Sequence, residues 1–139
     1  MMKDNNKRII FNWKKALDFE GDTAPYIQYA HARASSILKK LGELQSEFEI
    51  EELNEKEYKL VSLLSEFPEV VEKSSVDYRP DYVSNYVYDV AKCFNEFYHE
   101  CHVINAESNK EFRASLVKAT KIVLHNALAL LGIKAPEEM

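Results

Sequence analysis

Residues 80–101, PDYVSNYVYDVAKCFNEFYHEC, constrain the fold more than any other stretch of the chain. At the 100° per residue of an α-helix, Val83, Val87, Val90, Phe94, Phe97 and Cys101 fall within one narrow stripe. A helix of this kind must bury its stripe, so it predicts a partner surface as well as itself. Tyr86 and Tyr98 flank the stripe on opposite sides, where a ring can bury its body and keep its hydroxyl wet. With only 3 Gly and 4 Pro, the chain has little room for hairpin turns or long irregular loops. Its 139 residues and 46% hydrophobic content suit one domain with a real core. The fold class expected is all-α, an up-and-down bundle of about five helices.

Other helices follow from the same periodicity. Pro25 suits a first turn, Thr23 or Asp22 can cap it, and Ile27, Ala30, Ala34, Leu38 and Leu41 recur at three- and four-residue steps before Gly42. Residues 45–54 read as an acidic connector. Leu60, Leu63, Leu64 and Phe67 mark a helix that stops near Pro68, and residues 68–79 read as a short helix before Pro80. Ser108 and Glu111 have capping-box spacing ahead of a final helix whose apolar arc runs from Phe112 to Leu131. That wide arc predicts the last helix as the central and most buried one. Gly132 ends it, and IKAPEEM forms a short tail. Near the N-terminus, an apolar run at residues 9–11 and a helical pattern around Trp13, Ala16 and Leu17 precede a break at residues 20–24.

Chemistry is notable for what is missing. There is no phosphate-cradling Gly-rich loop, no dinucleotide fingerprint and no metal-ligand motif. His31, His99, His102 and His125 are dispersed, and a metal at His99 and His102 would need further converging ligands. No catalytic or metal residue is therefore assigned. Cys93 and Cys101 lie on one predicted helix and cannot pair, which suits a reducing cytoplasm. No run approaches the roughly 18 apolar residues of a membrane span. The net charge of −5 argues against a general polyanion binder, yet residues 1–40 are net basic and residues 41–77 strongly acidic. That asymmetry leaves room for a nucleic-acid face. Composition and periodicity stop at a soluble helical domain.

The stretch F-x-W-x-x-A-L-D-F-E-G-D-T-A-P-Y-I-Q-Y-A-H-A-R, residues 11–33, resembles the segment of arginyl-tRNA synthetases just beyond their catalytic domain. The likeness continues through NYVYDVAKCFNEFYHECHVINAE and FRASLVKATKIVLHNALALLGIKAPEEM, from about Lys7 to Met139 and in the same order. It implies a helical bundle of the class I synthetase anticodon-binding type, named for a D-A-L-R signature that VKATKIVL replaces here. Residues 1–20 would be a junction following a missing catalytic domain, and residues 21–139 the anticodon-binding domain. The family's HIGH and KMSK signatures are not in the sequence. The resemblance thus implies a non-catalytic piece of an arginine–tRNA ligase that is cytoplasmic and makes no membrane contact. Its partners would be the anticodon region of arginine tRNA and the catalytic domain of the same polypeptide. It implies no cofactor in this piece, and ATP with Mg for the parent enzyme. A free-standing helical protein-interaction module related to synthetases is the competing expectation.

Candidate RNA-binding residues come from setting the family pattern beside the helix geometry. Tyr26 follows the turn that protrudes near the anticodon in the family, where an exposed ring suits base stacking; packing of the turn is its alternative role. Gln28 and Arg33 can reach a base or phosphate, or serve the interface with the catalytic domain. Phe94 and Tyr98, one turn apart, match a pair of anticodon-contacting aromatics. Phe94 stands near the centre of the buried stripe, which favours packing, whereas Tyr98 stands at its edge. Arg113 lies in a first turn, where the helix dipole disfavours a cation, so a carboxylate or an RNA group should compensate it. Met139 is implied in the anticodon pocket, with a frayed end as the alternative. Ala24 replaces the family's usual glycine and would be strained if that position required positive φ.

Overall fold

A computed structural model describes residues 10, 12–13, 23–42, 48–50, 52–106 and 108–139. The junction expected over residues 1–20 lies outside the described residues, apart from Ile10, Asn12 and Trp13. Among the described residues there are five helices: α1 Ala24–Leu41, α2 Glu55–Ser65, α3 Phe67–Val76, α4 Pro80–Glu100 and α5 Lys110–Leu130.

Local chemistry explains most of their ends. Thr23 is the N-cap of α1 in extended backbone, and Pro25 sits in the first turn, where its missing N–H costs nothing. Ala24 is already helical, and among the described residues the positive-φ non-glycine residues are Tyr78 and Asn109, so the strain expected at Ala24 does not arise. Gly42 closes α1 at φ 73°, donating to the Leu38 carbonyl. As expected, one helix stops near Pro68 and a short one follows: α2 ends at Ser65, and after a one-residue break at Glu66 Pro68 sits in the first turn of α3, where proline is tolerated as it is not in a helix interior. Phe67, expected on the earlier helix, belongs to α3. The capping box is also elsewhere than expected. Asn109, in the left-handed region, precedes α5, and Asn54 with Glu57 forms the reciprocal box at α2. At the end of α5, Gly132 (φ 71°) lets Ile133 N donate to Leu128 O and Gly132 N to Ala129 O, a complete Schellman closure.

The core is organised around α4, not around α5. All six residues of the predicted stripe are buried, and α4 packs against each of the other four helices. Ten α4 residues are buried against eight on α5, whose Ile122 and Leu130 face solvent. The wide arc of α5 misled because burial depends on how many neighbours a helix has, and α5 meets α1, α2 and α4 along part of its surface. Each fully buried Phe or Leu side chain contributes roughly 1.5–3 kcal/mol. Tyr86 also departs from expectation. It is 6% exposed, stacks on Phe67, and donates its hydroxyl to the Leu63 carbonyl at 2.8 Å. The hydroxyl is dry, and burial pushes its pKa well above the usual tyrosine value.

Candidate functional site

α1 and the C-terminal half of α4 run side by side and bring four polar groups into a chain. Asn95 Nδ2 donates to the Tyr26 hydroxyl (3.0 Å), and Asn95 Oδ1 accepts from Arg33 Nη1 (3.1 Å). Arg33 Nη2 donates to the Tyr29 hydroxyl (2.9 Å), one helical turn back on α1. The guanidinium carbon lies 4.8 Å from the Tyr29 ring centroid and 5.6 Å from that of Tyr98. Both distances are within cation–π range. Arg33 is therefore held by two hydrogen bonds and two aromatic rings, and among the described residues no carboxylate pairs with it.

Tyr29 and Arg33 of this chain of contacts line a cleft of about 610 Å³, whose walls also include Lys40, Tyr98, Ile104 and Met139. Lys39 also lines it and pairs with Glu138 at 2.6 Å. That bond raises the Lys39 pKa and holds Glu138 below the usual carboxylate range. Lys40 makes no ion pair among the described residues. The cleft thus joins the exposed Tyr29 ring and the half-buried Tyr98 ring to a surplus of positive charge, a combination suited to an unstacked base together with its phosphate.

The C-terminal tail completes this wall instead of fraying. Gln28 Nε2 donates to the Lys134 carbonyl (2.7 Å), and buried His31 donates from Nδ1 to that of Pro136 (2.8 Å). Glu137 bonds Lys121 (2.7 Å), and this bond, with a hydrogen bond to Ser35, holds its pKa below the usual range. Met139, 58% exposed, is thereby carried to the cleft beside Tyr29 and Tyr98.

Of the residues expected to touch RNA, Arg33, Tyr98 and Met139 meet in the cleft. Tyr26 stands behind them, half-buried against Tyr88, and Gln28 is occupied by the tail. For two candidates the structure takes the packing alternative over the RNA contact. Phe94 is fully buried, between Phe97 and Tyr98 at centroid distances of 6.4 and 6.5 Å, so it has no face free for a base. It supports Tyr98 from below. Arg113 is neutralised within the fold: Nε bonds Glu57 Oε1 at 2.6 Å, and Nη1 donates to the His102 carbonyl at 3.0 Å. Sequence reasoning missed Tyr29, Lys40, Asn95 and Ile104. Tyr29 had a signal, since it precedes Arg33 by four residues. Ile104 had none, because its place depends on how the loop after α4 folds back. Among the described residues, no group of three or more His, Cys, Asp or Glu side chains could hold a metal ion. No described helix is long and apolar enough to cross a membrane.

The family model of the DALR anticodon binding domain matches residues 27–139. An arginine–tRNA ligase of Pyrococcus abyssi is 49% identical over 140 residues, covering 96% of this chain and 22% of the relative. A Clostridium botulinum arginine–tRNA ligase is 44% identical over 142 residues, covering 99% of this chain and 25% of the relative. Among solved structures, the Thermus thermophilus arginyl-tRNA synthetase superposes with a TM-score of 0.89 at 39% identity, over 96% of this chain and 24% of that one. The chain therefore spans about a quarter of the length of the curated relatives it matches.

Proposed function

Because the chain belongs to the DALR anticodon-binding domain family, we propose that its cleft holds the anticodon loop of arginine tRNA. The single observation that carries this reading is Arg33, unpaired with any described carboxylate and set between the exposed ring of Tyr29 and the half-buried ring of Tyr98 at the cleft wall. A base turned out of the loop stacks on an aromatic face, which contributes about 1–3 kcal/mol. The guanidinium offers hydrogen-bond donors and charge to an acceptor edge or a phosphate. All arginine codons have G in the middle, so all cognate anticodons have C there. That C presents O2 and N3 acceptors, which donors on Arg33 suit. The domain selects and positions the tRNA. A catalytic domain elsewhere in the same polypeptide joins arginine to it in the cytoplasm, using ATP with Mg.

Binding of an anticodon stem-loop RNA tests the reading. The chain should prefer the arginine sequence over one with the middle C replaced by U. Tyr98→Ala should weaken cognate binding by about 5- to 150-fold, the loss of one base–aromatic stack. Equal affinity for both RNAs, or unchanged binding by a folded Tyr98→Ala, would refute it.

A further inference from the structure

A second concavity lies on the other side of the C-terminal tail. It has a volume of about 510 Å³, with Leu38, Gly42 and Ile122 on its apolar surface and Lys118, Lys121 and His125 around it. The three basic residues stand at i, i+3 and i+7 of α5 and so share one face of that helix. No carboxylate lines the groove among the described residues, although the chain has a net charge of −5. Lys118 makes no ion pair among the described residues, and the Lys121 partner is Glu137 of the tail. The helix dipole explains Lys39 and Lys40 in the last turn of α1, but not cations in the middle of α5.

Groove and cleft flank the last turn of α1. Leu38 and Gly42 face the groove, while Lys39 and Lys40 face the cleft. The tail bridges them, with Glu138 on Lys39 and Glu137 on Lys121. We propose that this groove is a second RNA contact, a phosphate-backbone site in which Lys118, Lys121 and His125 hold the strand leaving the anticodon cleft. The proposal rests on the reading of the cleft as an anticodon site and adds what that reading lacks, a contact indifferent to sequence. Base contacts in the cleft specify, whereas phosphate contacts in the groove fix register and supply salt-sensitive affinity.

The two sites predict different variant behaviour with the same probes, the cognate anticodon stem-loop and its middle-base variant. Lys118→Ala removes an exposed cation that has no ion pair among the described residues and introduces the best helix former, so the fold should be kept. It should weaken both RNAs by the same factor, about five- to tenfold at 0.1 M salt, and lower the salt slope by about 1. Tyr98→Ala should instead weaken binding with the salt slope unchanged, because a lost stack removes no phosphate contact. Glu137→Gln removes the carboxylate that pairs with Lys121 and should bind both RNAs at least as tightly as wild type. Lys118→Ala binding like wild type beside a weakened Tyr98→Ala would overturn the groove and leave the cleft standing. Lys118→Ala weakened beside an unaffected Tyr98→Ala would support the groove and overturn the cleft. A Glu137→Gln variant that reproduces the Lys118→Ala loss would overturn the groove, because the tail would then carry the effect.

Discussion

Arg113→Ala separates a fold residue from an RNA residue more sharply than any other substitution. Glu57 is 1% exposed; its Oε1 accepts from Arg113 Nε and its Oε2 from the backbone N–H of Asn54. Removing the guanidinium leaves a buried carboxylate with one neutral donor, a change that costs about 3–5 kcal/mol. The lost bond to the His102 carbonyl adds about 1 kcal/mol, and relief of a cation from the first turn of α5 returns about 0.5 kcal/mol. The net loss is roughly 3.5–5.5 kcal/mol, which for a domain of this size lowers the melting temperature by about 10 °C or more. Adding Glu57→Gln should recover part of it, because a neutral amide oxygen can still accept from Asn54 without a buried charge. Urea denaturation of the two single variants and the double gives the coupling directly. At a temperature where Arg113→Ala is folded, its RNA affinity should match wild type. A variant that melts with wild type and loses RNA binding would refute this account and restore Arg113 to the RNA surface.

Two further outcomes follow from burial and charge. Phe94→Ala should destabilise the domain by about 3–5 kcal/mol in denaturant melts, with anticodon preference intact wherever it is folded; a stable Phe94→Ala that loses the preference would put the ring on the RNA. The carboxyls of Glu137 and Glu138 lie below their ordinary range in the folded chain, so the tail contacts they make are present above the unfolded value of about pH 4.3 and are lost as pH falls through the lower folded values. Following the Gln28 side-chain amide by NMR should show the tail secure from pH 7 to about pH 5 and loosening only below about pH 4. Loosening as pH rises through that window would contradict the sign.

Much of the architecture was legible along the chain because it depends on nearest neighbours. The α4 stripe, Gly42 and Gly132 at helix ends, and Pro25 and Pro80 in first turns are decided by backbone geometry within a few residues. Within the aromatic pair, periodicity alone turned Phe94 inward and set Tyr98 at the edge, as the structure has them. The break near Pro68 was legible too, although Phe67 falls on its far side, because a first-turn proline leaves room for one helical residue before it. The Asn54–Glu57 box was visible in principle, but the acidic run around it read as a connector.

The candidate site was only half legible. Arg33, Tyr98 and Met139 stood in the family-like segments, but the contacts that build the wall around them join residues 62 to 106 positions apart, as in Arg33 with Asn95 and Gln28 with Lys134. The sequence by itself determined the helices, the inward side of α4 and the family to which the chain belongs. Tertiary structure decided that α4 and not α5 is central, that Arg113 is compensated by Glu57, and that the tail returns to α1 to build the cleft wall. The reason is physical: helix faces follow from short-range periodicity, whereas the partner of a charge and the neighbour of a helix are set by packing between segments far apart in the chain.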